Sequence, residues 1–163
     1  MDLKTITTTA ITPALALLPA RMDTPEARVM LLAIGLQEGR FVHRRQIVGP
    51  ARGFWQFEKG TRLSRGGVWG VYLHQASKDR LAALCKARSV ACDPDAIYGA
   101  LEYDDVLAAG VARLLLWTDP KALPPVGDTQ AAWALYLRTW RPGKPKPDSW
   151  PPLYRQAVAE VQP

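Results

Sequence analysis

Glu38 is the residue of this sequence whose setting most favours chemistry. It lies at the end of the apolar stretch "VMLLAIGLQEG", and it follows Ile34, Leu31 and Ala27 by four, seven and eleven residues. In a helix these spacings place the four side chains on one face. Burial of that face disfavours the charged carboxylate and raises its pKa. A carboxylic acid that keeps its proton near neutral pH can protonate a leaving oxygen, which is the step needed to cleave a glycosidic bond.

Two structural interpretations of Glu38 compete with this one. Its side chain reaches solvent if the helix ends there, or it forms a salt bridge with one of the following arginines, which are Arg40, Arg44 and Arg45. The spacing alone does not separate a catalytic carboxyl from either alternative.

The segment "GPARGFWQFE" (residues 49–58) carries further candidate binding residues. If residues 53–58 form a strand, its alternation places Gln56 and Glu58 on one face and Trp55 on the other. The Gln56 amide offers a donor and an acceptor, which suit sugar hydroxyls and acetamido groups. The Trp55 ring suits the flat apolar face of a sugar. Glu58 is either a second carboxylate facing Glu38 or a solvated strand-end charge.

Most of the remaining chain predicts helices with recognisable starts. Thr24 is a predicted N-cap, with Pro25 at the first helical position, Glu26 in the first turn and Gly39 at the end. The same combination of a capping side chain and an apolar face predicts four more helices, which begin at Ser77, Asp93, Asp104 and Asp128. A last helix is predicted to begin near Pro151.

One region has the composition of β-structure. The stretch "GFWQFEKGTRLSRGGVWGVYL" has two aromatic and β-branched runs around a connection rich in Gly, Ser and Arg, which predicts a hairpin over residues 53–73. The predicted fold class is therefore α+β and mainly α, with several helices around one small β-hairpin or sheet. The length of 163 residues predicts a single domain over residues 1–163. Residues 142–152 are a Pro-rich connector to the last helix.

The N-terminal stretch "MDLKTITTTAITPALALLPARM" resembles a poor signal peptide, but threonines and prolines interrupt its apolar run. We therefore expect residues 1–23 to be a segment that packs on the domain. No apolar run approaches the ~20 residues needed to span a bilayer.

The net charge of +6 favours a polyanionic partner such as nucleic acid, an anionic membrane or a cell-wall polymer. Nucleic acid is disfavoured, because the arginines form no clear recognition helix or stacking array. Cys85 and Cys92 match no zinc spacing, and the chain has only two histidines, so we predict neither a metal site nor a cofactor. The two cysteines are either small core residues or the ends of one short disulfide loop.

Together, these motifs resemble the lysozyme-like superfamily, especially soluble lytic transglycosylases and goose-type lysozymes. The resemblance lies in a helix ending in Q-E-x-x-F and, after a loop, the pattern A-x-G-aromatic-x-Q. It covers residues 24–73 and implies that Glu38 is the catalytic acid and Gln56 a substrate-binding residue. Tyr136, on a later aromatic helix, corresponds to a tyrosine that the family places near its glutamate. Gly39 departs from the usual serine, and Pro50 from the usual glycine.

The resemblance implies a peptidoglycan-cleaving muramidase that cuts the bond between N-acetylmuramic acid and N-acetylglucosamine. Such an enzyme needs no cofactor, and its partner is the peptidoglycan glycan strand. The size and charge are typical of a bacteriophage endolysin or a virion-associated enzyme, found in the virion or host cytoplasm and acting in the periplasm or cell wall. The alternative is a catalytically weak or inactive lysozyme-like component of a phage particle, which contacts other virion or tail proteins.

Overall fold

The structure is a computed structural model that describes residues 1–162, and helices dominate it. Helix accounts for 59% of the chain. Nine α-helices lie in the described residues: α1 Leu3–Ile6, α2 Thr12–Ala16, α3 Pro25–Gly39, α4 Gly67–Leu73, α5 Lys78–Ala87, α6 Pro94–Ala100, α7 Asp105–Trp117, α8 Thr129–Trp140 and α9 Trp150–Val161. A π-helical segment, Thr7–Ile11, joins α1 to α2, and 3-10 turns occupy Ala20–Met22 and Pro147–Ser149.

Four of the predicted helix starts are confirmed by their capping hydrogen bonds. In each case the side-chain oxygen of the N-cap accepts a hydrogen bond from the backbone N–H three residues later, at 2.8–3.2 Å. These N-caps are Thr24 of α3, Asp93 of α6, Asp104 of α7 and Asp128 of α8. Ser77 precedes α5 as predicted, but its hydroxyl donates to the Val71 carbonyl at 2.7 Å and so ties α4 to the start of α5.

The predicted hairpin over residues 53–73 is wrong, and residues 1–162 contain no β-sheet. Residues 53–56 form a tight turn closed by paired backbone hydrogen bonds between Arg52 and Phe57. The second predicted strand is α4, in which Val68 and Val71 are fully buried on one helical face. Tertiary burial at a spacing of three residues overrides the β preference of valine and the aromatic residues. An all-α class replaces the α+β prediction.

Two helices, α3 and α7, form the centre of the core. Nine residues of α3 and ten of α7 are buried, so neither helix is amphipathic. Helix α9 packs along α3, whereas α4, α5 and the segment around Thr7–Ile11 pack on α7. The end of α3 is half-exposed, and the candidate site lies there.

The N-terminal residues contribute directly to this core. Ile6, Ala10, Ile11 and Ala14 are fully buried against the central helices. At the other end, the connector predicted over residues 142–152 is shorter than expected, because a 3-10 turn covers Pro147–Ser149 and α9 begins at Trp150.

Both cysteines are free thiols, one buried and one exposed. Cys85 packs in the core on α5, and burial raises the pKa of its thiol to about 12. Cys92 lies on the surface just before α6. Within residues 1–162 no helix is both long and apolar enough to cross a membrane.

The chain reverses after α3 by a backbone arrangement that depends on Gly35. Arg40 and Phe41 both adopt left-handed conformations, with φ of 54° and 55°, and these bring the Phe41 ring back onto the helix. A Cβ added at Gly35 would lie 2.1 Å from that buried ring. From there the ring packs edge-on against Phe54 and Trp55, at 5.7 and 5.6 Å between centroids.

This packing predicts opposite outcomes for the two glycines of α3. We expect Gly35→Ala to lower the free energy of unfolding by about 1–3 kcal/mol, because the methyl group overpacks the Phe41 ring. Gly39→Ala is the matched control, because its Cβ would meet nothing within 4 Å and alanine favours helix by up to about 1 kcal/mol. Urea unfolding of both variants tests this, and equal stabilities would contradict the role of Gly35.

Candidate active site

A groove of about 540 Å³ opens beside the end of α3 and the turn at residues 53–56. Four of the five predicted site residues line it: Glu38, Gln56, Glu58 and Tyr136. They come from α3, from the turn and the segment after it, and from α8, so the groove forms where these three parts of the chain meet. The fifth candidate, Trp55, does not line it.

Glu38 faces the groove from the last turn of α3 and is half-buried. Every residue of α3 from Val29 to Leu36 is buried, so burial is not restricted to the single helical face that the spacing predicts. Within residues 1–162 Glu38 forms no ion pair, and Arg44 instead pairs with Asp105 at 2.7 Å. The alternative in which Glu38 forms a salt bridge with a following arginine is therefore wrong. Arg44 pairs with Asp105 instead, and neither Arg40 nor Arg45 forms an ion pair with Glu38.

The hydroxyl of Tyr136 donates a hydrogen bond of 2.7 Å to Oε1 of Glu38. Burial raises the pKa of Glu38 from its ordinary value of 4.5 to about 7. The Tyr136 hydrogen bond opposes that rise, and the nearby negative charge of Glu58 adds to it. Burial and the Glu38 charge also raise the pKa of Tyr136, so the phenol remains a donor. Glu38 is thus a carboxyl group that exchanges its proton near neutral pH.

Gln56 ends the turn in a left-handed conformation, with φ of 49°. Its Nε2 donates to the Gly53 carbonyl at 2.8 Å and to the His43 carbonyl at 3.4 Å. The amide donors therefore maintain the turn, and Oε1 remains to accept a hydrogen bond from a ligand in the groove. The sequence predicts that Gln56 offers a sugar both a donor and an acceptor. In the structure the donor is used within the turn, and the acceptor Oε1 is the group left for a ligand.

Gly53 allows this turn to lie against the core. Its φ is 71°, and an added Cβ would lie 2.7 Å from the carbonyl oxygen of Leu101. The predicted strand over residues 53–58 does not form. The prediction that Gln56 and Glu58 face the same region still holds, because both side chains line the groove.

The prediction that Trp55 contacts substrate needs correction, because its side chain is fully buried. Its indole N–H donates to the Leu31 carbonyl of α3 at 2.8 Å. Its own carbonyl accepts a hydrogen bond of 2.9 Å from the indole N–H of Trp140, on α8. Trp55 therefore positions the helices that carry Glu38 and Tyr136 relative to the turn that carries Gln56.

Trp140 is the tryptophan that lines the groove, and the sequence did not single it out as a site residue. It follows Tyr136 by four residues on α8, so the two side chains share a face. That spacing is the signal that would have found it. The Trp140 ring lies 5.5 Å from Phe57 between centroids and is half-buried, which leaves part of an aromatic surface open to the groove.

Glu58 is exposed and lines the same groove. Its backbone carbonyl accepts a hydrogen bond from Val68 at 3.1 Å, which holds the segment after the turn against α4. Its charge acts on Glu38, as the raised pKa of Glu38 indicates. The groove therefore contains one half-buried carboxyl and one exposed carboxylate.

The Pro-rich connector forms another wall of the groove. Gln37, next to Glu38, donates to the Lys146 carbonyl at 3.2 Å and accepts from the Ser149 hydroxyl at 3.0 Å. These bonds fix the connector to the end of α3 and bring Lys144 and Lys146 to the groove. The groove consequently contains both acidic and cationic residues.

The two departures from the lysozyme-like pattern have different structural settings. Gly39 leaves open space where a side chain would be, so the missing serine does not reflect crowding. The Pro50 carbonyl accepts a hydrogen bond from the Tyr98 hydroxyl, which anchors the loop before the turn.

No family model, curated protein or solved structure matches the chain. Within residues 1–162, no group of three or more His, Cys, Asp or Glu side chains could hold a metal ion.

The raised pKa of Glu38 predicts a pH-dependent stability. Between pH 4.5 and about 7 the folded protein retains a proton that the unfolded chain loses, so stability falls as the pH rises through this window. Glu38→Gln cannot ionise and lacks this effect. From pH 4.5 to pH 8 we expect the wild type to lose about 2–3 kcal/mol of unfolding free energy relative to the variant. Urea unfolding measures this, and parallel pH curves would contradict the raised pKa.

Proposed function

We propose that the protein cleaves peptidoglycan as a muramidase, with Glu38 as the catalytic acid. The observation that carries the proposal is the Glu38–Tyr136 hydrogen bond at the edge of a groove that also contains Gln56. The groove gives this carboxyl group, whose pKa is about 7, access to a bound ligand. The substrate bond, between N-acetylmuramic acid and N-acetylglucosamine, is proposed from the resemblance to soluble lytic transglycosylases and goose-type lysozymes.

In this mechanism Glu38 donates its proton to the glycosidic oxygen as the bond to the sugar breaks. Because Oε1 accepts from Tyr136, Oε2 is the oxygen that would carry the transferable proton. Transfer leaves a carboxylate, which the Tyr136 hydroxyl stabilises by a charge-assisted hydrogen bond. The same carboxylate then acts as the base in the second half of the reaction. Gln56 would hold an acetamido N–H or hydroxyl through Oε1, and the Trp140 ring would pack against a sugar face.

Two second steps are compatible with these residues, and they give different products. In a lytic transglycosylase the substrate's own acetamido group assists and a 1,6-anhydro end forms. In a hydrolase a carboxylate assists an attacking water, and we propose Glu58 for that role because it is the other carboxylate that lines this groove. We further propose that the setting is a bacteriophage endolysin or a virion-associated enzyme that acts on the host cell wall.

Digestion of purified peptidoglycan tests the proposal. We expect the wild type to release muropeptides and Glu38→Gln to be at least about 100-fold slower, because the general acid is lost. Glu26→Gln is the matched control, since it makes the same change in the first turn of the same helix, outside the groove. An anhydro end on the product identifies a transglycosylase, and a reducing end identifies a hydrolase.

Two outcomes of this experiment would contradict the proposal. If the wild type releases nothing while a control lysozyme digests the same sample, the enzymatic function is wrong, and a structural role in a phage particle becomes the better hypothesis. If Glu38→Gln cleaves as fast as the wild type, Glu38 is not the acid.

The pH dependence of cleavage provides a separate prediction. Because the acid must be protonated, kcat/KM should fall as the pH rises above about 7. Tyr136→Phe removes the hydrogen bond that lowers the pKa of Glu38, so this fall should move to higher pH. Tyr154→Phe is the control, because Tyr154 stacks on the same Trp150 ring as Tyr136 but bonds Gly127 instead of Glu38. An unchanged profile, or a shift to lower pH in Tyr136→Phe, would contradict the assigned hydrogen bond.

A further inference from the structure

A second cavity of about 310 Å³ adjoins the groove near the end of α8. We call it the side cavity. It shares five lining residues with the groove, namely Gly66, Gly67, Leu115, Thr139 and Arg141. The two cavities therefore adjoin at these residues, so a branch of a ligand in the groove lies close to the side cavity.

The side cavity has a net positive charge. Its one carboxylate, Asp119, is nearly buried, with 8% of its side chain exposed, and it forms an ion pair of 3.0 Å with Arg138. These two charges neutralise each other. The remaining cations that line the cavity are Arg65 and Arg141, and neither forms an ion pair with any residue in 1–162.

The two unpaired arginines are attached to well-defined backbone positions. Each adopts a left-handed conformation, with φ of 51° at Arg65 and 49° at Arg141. Arg141 immediately follows α8, and its Nη1 donates to the Ser64 carbonyl at 3.4 Å, which connects the end of α8 to the loop that carries Arg65. An L-residue costs free energy in this conformation, so the surrounding structure holds both positions in place.

The groove and the side cavity differ in how their carboxyl groups are paired. In the groove, Glu38 and Glu58 form no ion pair with any residue in 1–162, and Arg141, Lys144 and Lys146 also line it. In the side cavity, the Asp119 carboxylate is neutralised by Arg138. Arg65 and Arg141 favour an anion in the side cavity, and guanidinium groups match the two oxygens of a carboxylate. For a ligand with a neutral sugar backbone and an anionic branch, the unpaired Glu58 carboxylate repels the branch in the groove, whereas the carboxylate that lines the side cavity is already neutralised.

We propose that the side cavity binds a carboxylate of the stem peptide carried by the muramic acid residues of the glycan. This inference rests on the proposed function, because it takes the groove ligand to be a peptidoglycan strand. Muramic acid bears its peptide as a branch on the lactyl group, whereas uncharged glycans of N-acetylglucosamine have no such branch. The side cavity thus selects peptide-bearing strands over naked glycan.

Binding to the Glu38→Gln protein tests the inference without requiring cleavage. The probes are soluble glycan fragments with intact stem peptides, peptide-bearing fragments whose carboxylates have been converted to amides, and peptide-free fragments. In the peptide-free fragments an amidase has removed the peptides, and the lactyl carboxylate that this exposes has been converted to an amide. By calorimetry we expect the intact fragments to bind about tenfold more tightly than either of the others, with a preference that weakens as salt is raised.

The charge of the arginines is then removed in the same background. Arg65→Gln combined with Arg141→Gln should abolish the preference for intact fragments. Lys86→Gln combined with Arg155→Gln is the matched control, because it removes the same charge from exposed positions that line neither cavity and should keep the preference. Thermal unfolding of both double variants checks that each is folded.

The outcomes distinguish this inference from the proposed function. Equal binding of intact and peptide-free fragments, no binding of either, or a preference that survives loss of both arginines would overturn the side-cavity assignment. If the arginine-dependent preference is present but the wild type cleaves no peptidoglycan, the side cavity is supported and the enzymatic proposal fails. If the wild type cleaves peptidoglycan but the arginine-dependent preference is absent, the enzymatic proposal is supported and the side-cavity assignment fails.

Discussion

The two hydrogen bonds of Trp55 are the constraint on which the groove depends. Through its indole N–H the residue is tied to the Leu31 carbonyl of α3, and through its carbonyl to the Trp140 indole of α8. The side chain is completely buried between these contacts. Since α3 carries Glu38, α8 carries Tyr136 and the turn itself carries Gln56, one residue fixes the relative positions of all three. The Phe41 ring, packed on Gly35, supports Trp55 from the side of α3.

The protonation of Glu38 follows from this arrangement. Burial is the main cause of its raised pKa, and the end of α3 acts in the same direction because a helix carboxyl terminus has a partial negative charge. The arginines that follow the helix do not compensate, since Arg44 is held by Asp105 and lies over the Phe54 ring at 4.3 Å. Basic residues adjacent in sequence thus leave the carboxyl without a cationic partner, while unpaired cations line other parts of the groove.

The sequence predicts the helices well and the local structure around the groove less well. Caps such as Thr24 and Asp104 are local interactions, so the residue type and the following apolar positions identify the start of a helix. The prediction of a strand at residues 67–73 is wrong because valines and aromatic residues dominate this stretch, although the spacing of Val68 and Val71 is helical. Tertiary packing on α7 decided between the two structures, and composition alone does not contain that information.

The residues of the candidate site likewise divide into those that the sequence predicts and those that it does not. The types and separation of Glu38 and Gln56 are visible in the chain and predict both as candidates, and the family resemblance adds Tyr136. The prediction for Trp55 fails because it considers only that an aromatic ring suits a sugar face, whereas the turn buries this side chain. Trp140 is missed because its role depends on a contact between α8 and that turn.

The most direct test of the account is the titration of the Glu38 carboxyl carbon by NMR in protein labelled with carbon-13 at glutamate, with Glu38→Gln used to assign the signal. We expect a midpoint near pH 7, well above the ordinary value of 4.5. A midpoint near 4.5 would show that Glu38 is an ordinary surface carboxylate and would contradict its role as the acid.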